Sequence, residues 1–141
     1  MTVEFAPASD EDLPGIDKML VHNDWGVPRY EWGRWLIARD DGDIVGVIHV
    51  ADVGDALYLD DVLVTLERRG AGIGSAFMGF LPEDRDVYLS CHDNRIAFYG
   101  RLGFEVIDTS ALPKPILDHA YRTKDLPSIP EHVHYMMRRT S

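Results

Sequence analysis

The residue pattern with the clearest chemical meaning is Val64-Thr65-Leu66-Glu67-Arg68-Arg69-Gly70-Ala71-Gly72-Ile73-Gly74-Ser75, where three alternating glycines separate a strand-like run from a helix-like one. Glycine lets a backbone approach a ligand closely, and successive N–H groups at a helix start direct partial positive charge outward. Together they suit a phosphate group, and Arg68 and Arg69 add cationic side chains beside them. The same residues also suit a turn that only packs a helix against a strand. The glycine spacing is not a dinucleotide fingerprint, because its last glycine position holds Ser75, and the Gly-Lys of a triphosphate loop occurs nowhere in the chain.

Other side chains of chemical interest are weaker signals. Asp60 and Asp61 lie on an apolar run, and alternation puts Asp60 with Tyr58 and Val62 on one face and Asp61 with Leu59 and Leu63 on the other. Cys91 and His92 are adjacent on a strand and so point apart, a poor geometry for a thiol nucleophile; Cys91 is expected in the core. His132 and His134 share a face without a third recognisable ligand, so no metal is expected and the pair is assigned to the surface. Trp25, Tyr30, Trp32 and Trp35 cluster in sequence with Asp24 and Glu31.

The elements that must position these residues follow from periodicity and turn chemistry. Thr2 to Ala6 alternates as a strand, Ser9-Asp10-Glu11-Asp12 supplies capping side chains, and Leu13, Ile16 and Leu20 mark a first helix starting near Asp12. Trp35 to Arg39 and Ile44 to Val50 flank Asp40-Asp41-Gly42-Asp43 as a hairpin. Leu57 to Val64 is a strand, Ser75 to Leu81 a helix, and Val87 to Cys91 a strand. Asp93 or Asn94 then caps a helix that ends at Gly103, and Phe104 to Ile107 is again extended. The proline-rich segment from Ala111 to Pro130 has one helical turn at Ile116 to Tyr121, before a last strand at Val133 to Arg138. This order predicts the α/β class, a mixed sheet with helices on its faces.

Composition narrows the partners. The chain has 141 residues, a length suited to one domain, with 14 Lys plus Arg against 24 Asp plus Glu and a net charge of -10. That balance disfavours nucleic acid and anionic membranes, and no apolar run is long enough to span a bilayer. A single cysteine and a start without a basic, apolar leader point to the cytoplasm.

Arg69-Gly70-Ala71-Gly72-Ile73-Gly74 resembles the (Gln/Arg)-x-x-Gly-x-(Gly/Ala) signature of the GNAT superfamily of N-acetyltransferases, placed as in that family just after a strand ending Val62-Leu63-Val64. Ile96-Ala97-Phe98-Tyr99-Gly100-Arg101-Leu102-Gly103-Phe104 is similar to the family's downstream helix, with an aromatic-Tyr pair followed by Gly-Phe. The opening Asp12 to Ile16 and the closing His134 to Arg138 are also similar to the ends of many members, so the likeness covers nearly the whole chain. It implies one GNAT domain over residues 1–141, with a mostly antiparallel central sheet of about six or seven strands and helices on both faces.

The resemblance further implies acetyl-CoA as co-substrate. Its pyrophosphate would lie on the backbone N–H groups of Gly70, Ala71, Gly72, Ile73, Gly74 and Ser75 beside Arg69, and its pantetheine arm along Val62, Leu63 and Val64. An asparagine that members often place seven residues before the tyrosine is His92 here; Asn94 is the candidate for that contact and also suits a helix cap. The hydroxyl of Tyr99 would protonate the leaving thiolate.

An alkyl amine is neutral in only about one molecule in a thousand at pH 7, so attack on a thioester gains from a base. Asp60 is preferred for that role, directly or through a water, although both carboxylates also suit solvation or pairing with arginines. Trp25, Tyr30 and Trp32 fall where the resemblance puts the acceptor and would cradle a cationic amine; as an alternative they anchor helices to the sheet. The function expected is acetyl transfer to a primary amine of a small molecule or peptide. The alternative is an acyl-CoA-binding module that signals to a partner protein, and a homodimer is compatible with either.

Overall fold

Ser9 and Asp12 set the start of the first helix. The Ser9 backbone N–H and hydroxyl donate to the Asp12 carboxylate at 2.8 and 3.2 Å, and Asp12 also receives the guanidinium of Arg39. A single 3-10 turn at Asp10–Asp12 leads into α1, Leu13–His22, with Pro14 in its first turn where a missing N–H costs nothing. Ten residues make a marginal helix in water, so α1 depends on its packing. Ile16, Met19 and Leu20, spaced three and four apart, bury against Ile37, Val47 and Leu63 with Ala8, Trp35 and Ile44 at the margin.

The computed structural model describes residues 3–22, 31–65 and 72–141. Its strands are β1 (Val3–Pro7), β2 (Arg34–Asp40), β3 (Asp43–Val53), β4 (Ala56–Val64), β5 (Val87–Cys91), β6 (Glu105–Val106) and β7 (Tyr135–Arg139). The other helices are α2 (Ile73–Gly79), α3 (Ile96–Arg101) and α4 (Lys114–Arg122). The strands form one sheet in the order β1-β2-β3-β4-β5-β7-β6. The pairs β1–β2, β2–β3, β5–β7 and β6–β7 are antiparallel, whereas β4 and β5 are parallel. The mixed α/β architecture is thus the expected one.

Local chemistry accounts for most boundaries. The β2–β3 hairpin closes on the pair Asp40 and Asp43, so its loop is two residues rather than the expected four. Asp41 and Gly42 both have positive φ, 50° and 85°, the arrangement whose twist matches a right-handed hairpin. Helix α4 runs nine residues where one turn was expected. The prolines that suggested irregular chain instead start it, with Pro113 at the N-cap and Pro115 in the first turn. Neither Asp93 nor Asn94 caps a helix: the cap position before the 3-10 turn Asp93–Arg95 is His92, and no side chain caps it.

By its contacts the chain divides into two units. One comprises Met1–Val50 and Asp61–Leu81, and the other Ala51–Asp60 and Pro82–Ser141. In the first, Phe77 of α2 packs its ring on Phe5 at 5.2 Å and against Gly46 of β3, where a Cβ would stand 3.2 Å from the ring. In the second, Arg85 fixes the β3–β4 turn by donating to Asp52 at 2.8 Å and to the carbonyls of Asp55 and Ala56 at 3.2 and 3.1 Å.

Two glycines distinguish strain from collision. Gly42 has φ +85° and open space around it, whereas Gly33 has φ +75° and a Cβ there would sit 2.4 Å from the Val50 carbonyl oxygen and 2.6 Å from the His49 ring. Gly42→Ala should cost about 1 kcal/mol and Gly33→Ala about 3 kcal/mol. Melting followed by circular dichroism should fall by roughly 3 °C for the first and roughly 9 °C for the second. Equal losses would mean that the contact at Gly33 is relieved freely.

Candidate active site

In sequence the glycine bend falls within the Asp61–Leu81 stretch of the first unit. The parallel ladder of β4 with β5 runs only over Leu57–Leu59 and Val87–Leu89, so Asp60 to Val64 continue β4 beyond its last pair with β5. Leu63 turns into the α1 core, while Val62 and Val64, one position either side, are half-buried. After the bend, Gly72 stands at the N-cap of α2 in the left-handed conformation, φ +79°, which favours glycine at that position. Ile73, Phe77 and Met78 are buried and hold the helix down, leaving Gly74 half-buried and Ser75 exposed. No side chain caps the first turn, whose amides have no intrahelical acceptor. Amides presented in this way fit an anionic group such as a diphosphate. Arg69, Gly70 and Ala71 lie outside the described residues. The helix starts at Ile73, two residues before the expected Ser75.

Asp60 is withdrawn from solvent. Its side chain and that of His119 are each 1% exposed, and His119 Nε2 lies 2.8 Å from the Asp60 carboxylate. On the other side of the ring, Arg122 reaches His119 Nδ1 at 2.7 Å. Tyr58 is on the same side of β4 as Asp60, as alternation requires, and packs its ring 4.6 Å from that of His119. The Tyr58 hydroxyl donates to Asp125. Burial first, and then the negative charge of Asp125, push the Tyr58 phenol well above its ordinary range. His134 Nδ1 approaches Asp125 at 3.7 Å, and the His92 ring stands edge-on to His134 at 5.0 Å. His134 is therefore half-buried and not a surface residue, although His132 is exposed. Asp60 and His119 are 59 positions apart and Tyr58 and Asp125 are 67 apart, so no local pattern marked His119 or Asp125.

Tyr99 is held by the end of its own helix. The Phe104 N–H donates to the Tyr99 carbonyl at 3.1 Å and the Gly103 N–H to the Gly100 carbonyl at 3.2 Å. With Gly103 at φ +93°, this is a Schellman ending, and its usual apolar contact is the Tyr99–Phe104 ring pair at 5.8 Å. The Tyr-to-Gly-Phe spacing in the sequence is thus a helix stop that fixes the tyrosine. Tyr99 is 8% exposed, and burial pushes its phenol up to about 12 despite the opposing charge of Arg95. It keeps its proton at neutral pH and is suited to donate it. Cys91 is buried with Sγ 3.5 Å from Met137 Sδ, and burial raises its thiol to about 11, so little thiolate is available. Asn94 is exposed in the 3-10 turn.

Of the aromatic cluster, Trp32 is half-buried, whereas Trp25 and Tyr30 lie outside the described residues. Trp35 packs at the margin of the α1 core and edge-on to His49 at 4.8 Å, which makes it an anchor of β2. Among the described residues no group of three or more His, Cys, Asp or Glu side chains is arranged to hold a metal ion. No described helix is long and apolar enough to cross a membrane.

The same fold occurs in solved structures of low identity. A GNAT-family acetyltransferase from Staphylococcus aureus Mu50 has 15% identity, 98% coverage of each chain and a TM-score of 0.71. Arabidopsis thaliana Naa50 has 17% identity, complete coverage of both chains and a TM-score of 0.71. The ribosomal-protein-S18-alanine N-acetyltransferase from Escherichia coli has 14% identity, covers 98% of this chain and 93% of its own, and has a TM-score of 0.71. No curated protein matches the sequence. The model of the GNAT acetyltransferase domain matches residues 31–106, more than half of the chain and a span that includes β4, the glycine bend and Tyr99, and the chain belongs to that family.

Proposed function

We propose that residues 1–141 act as one acetyltransferase domain that moves an acetyl group from acetyl-CoA to a primary amine of a small molecule or peptide. Membership of the family supports the reaction class. The observation that carries the chemistry is Tyr99, a buried phenol kept protonated within the matched span. Support for a peptide or protein acceptor comes from two fold neighbours: Naa50 in complex with the bisubstrate analogue CoA-Ac-MVNAL, and the alanine N-acetyltransferase of a ribosomal protein. The net charge of -10 favours a cationic acceptor.

In this reading the amides of Gly72, Ile73, Gly74 and Ser75, with Arg69, Gly70 and Ala71, hold the diphosphate, and Asn94 is an auxiliary contact. Val62, Leu63 and Val64 carry the pantetheine arm along the part of β4 that runs past its ladder with β5. Asp60 takes the proton from the amine, directly or through a water. The neutral nitrogen attacks the acetyl carbonyl carbon, the carbon–sulfur bond breaks, the thiolate takes the proton of Tyr99, and the second proton leaving the nitrogen restores the phenol. Trp32, with Trp25 and Tyr30, contributes ring faces for the acceptor. The domain works in the cytoplasm, alone or as a homodimer.

Tyr99→Phe should lower kcat by about a hundredfold with acceptor KM nearly unchanged, as expected for loss of a general acid. Because the acid form is lost only as pH rises toward about 12, the wild-type kcat should show no alkaline fall below about pH 10. Full turnover by the phenylalanine variant would remove Tyr99 from the chemistry.

The acceptor is accessible to a screen. CoA thiol release should be seen with at least one member of a panel of polyamines, amino acids, aminoglycosides and peptide N-termini. Trp32→Ala should then raise the KM of that acceptor by about tenfold. Saturable acetyl-CoA binding by calorimetry with no turnover on any amine would instead identify a regulatory acyl-CoA-binding module.

A further inference from the structure

The buried polar chain on β4 and α4 carries more than the placement of one carboxylate. Arg122 has only donor hydrogens, so the 2.7 Å contact requires His119 Nδ1 to be the acceptor. The ring hydrogen is then on Nε2, aimed at the Asp60 carboxylate 2.8 Å away. An arginine on one ring nitrogen and an aspartate on the other select one tautomer of a neutral imidazole. The same arrangement blocks the ring as a proton conduit, because a proton arriving at Nε2 has no vacant exit at Nδ1.

We propose that His119 is a positioning residue for the acetyl transfer, a fixed Nε2–H donor that keeps Asp60 oriented and ionised, with Arg122 acting as the lock on its tautomer. The inference rests on Asp60 being the base of the reaction proposed above. Arg122 is exposed while His119 and Asp60 are not, so the lock is set at the surface and felt in the interior. Other ionisable groups near the chain, among the described residues, include Tyr58 on β4, whose ring lies against His119, and Asp125, which takes the Tyr58 hydroxyl and faces His134. Tyr58 donates to Asp125 in the structure, so its phenol hydrogen is committed there, while His119 Nε2 faces Asp60 from α4.

The test has one arm that does not depend on catalysis. Nitrogen-15 NMR of the histidine-labelled wild-type protein at neutral pH, with the His119 signals assigned by their loss in His119→Gln, should show a protonated Nε2 and an unprotonated Nδ1. Arg122→Met should release the lock and mix the tautomers. The opposite tautomer, or a doubly protonated ring in the wild type, overturns the proposal.

The second arm reads function. In His119→Phe, kcat should fall about tenfold or more with both KM values changed less than about twofold, and the acidic limb of kcat/KM should move to higher pH. A glutamine keeps an N–H donor for Asp60 and an oxygen for Arg122, so His119→Gln should regain most of kcat and return the limb toward its wild-type position. A melting temperature lowered equally in both variants, with the acidic limb unmoved, would reduce His119 to a structural residue and sink the idea. Unchanged turnover in Asp60→Asn would dismiss Asp60 as the base, an outcome distinguishable because the tautomer measurement would still stand.

Discussion

A carboxylate withdrawn from water keeps its charge only if donors replace the solvent, and Asp60 lives under that constraint. With 1% of its side chain exposed, it receives His119, and His119 is in turn held by Arg122. A hydrogen bond to a charged group contributes about 1.5–3 kcal/mol, against a desolvation cost for an isolated buried ion that is larger still. The arginine at the far end supplies opposite charge without entering the interior. Helix α4 carries His119 and Arg122 three residues apart on one face, and the Tyr58 ring lies beside that of His119.

Away from that chain, backbone geometry takes over from side-chain pairing. Gly72 in the left-handed conformation opens α2 with uncapped amides, while Phe77 anchors the same helix through contacts with Phe5 and Gly46. Gly103 closes α3 with two hydrogen bonds that bring Phe104 onto Tyr99. A helix start offers donors and a helix stop fixes a tyrosine. Both functions are met by glycine at one position each, because other residues reach positive φ only with strain.

Much of this was legible in the chain itself. The β2–β3 hairpin, the strand-bend-helix unit around Gly72 and the strand-helix unit around Tyr99 are each written within one continuous stretch of neighbouring residues, as turn chemistry or periodicity. The misreadings were also local. The proline-rich composition of Ala111 to Pro130 suggests a single helical turn, though proline is tolerated in a helix's first turn, and the Asp40-Asp41-Gly42-Asp43 pattern suggests a four-residue loop where the hairpin needs only two. His134, flanked by exposed residues, carries no local sign that it turns toward Asp125.

By itself the sequence determined the order of strands and helices, the glycine positions at the two helix ends and the family, because each depends on neighbours along the chain. Only the tertiary structure decided what surrounds Asp60. Alternation put Asp60 and Tyr58 on one face of a strand, but a face has no chemistry until another element covers it. Residues 59 and 67 positions away, His119 and Asp125, supply that cover, and their arrival depends on how a helix packs across a sheet.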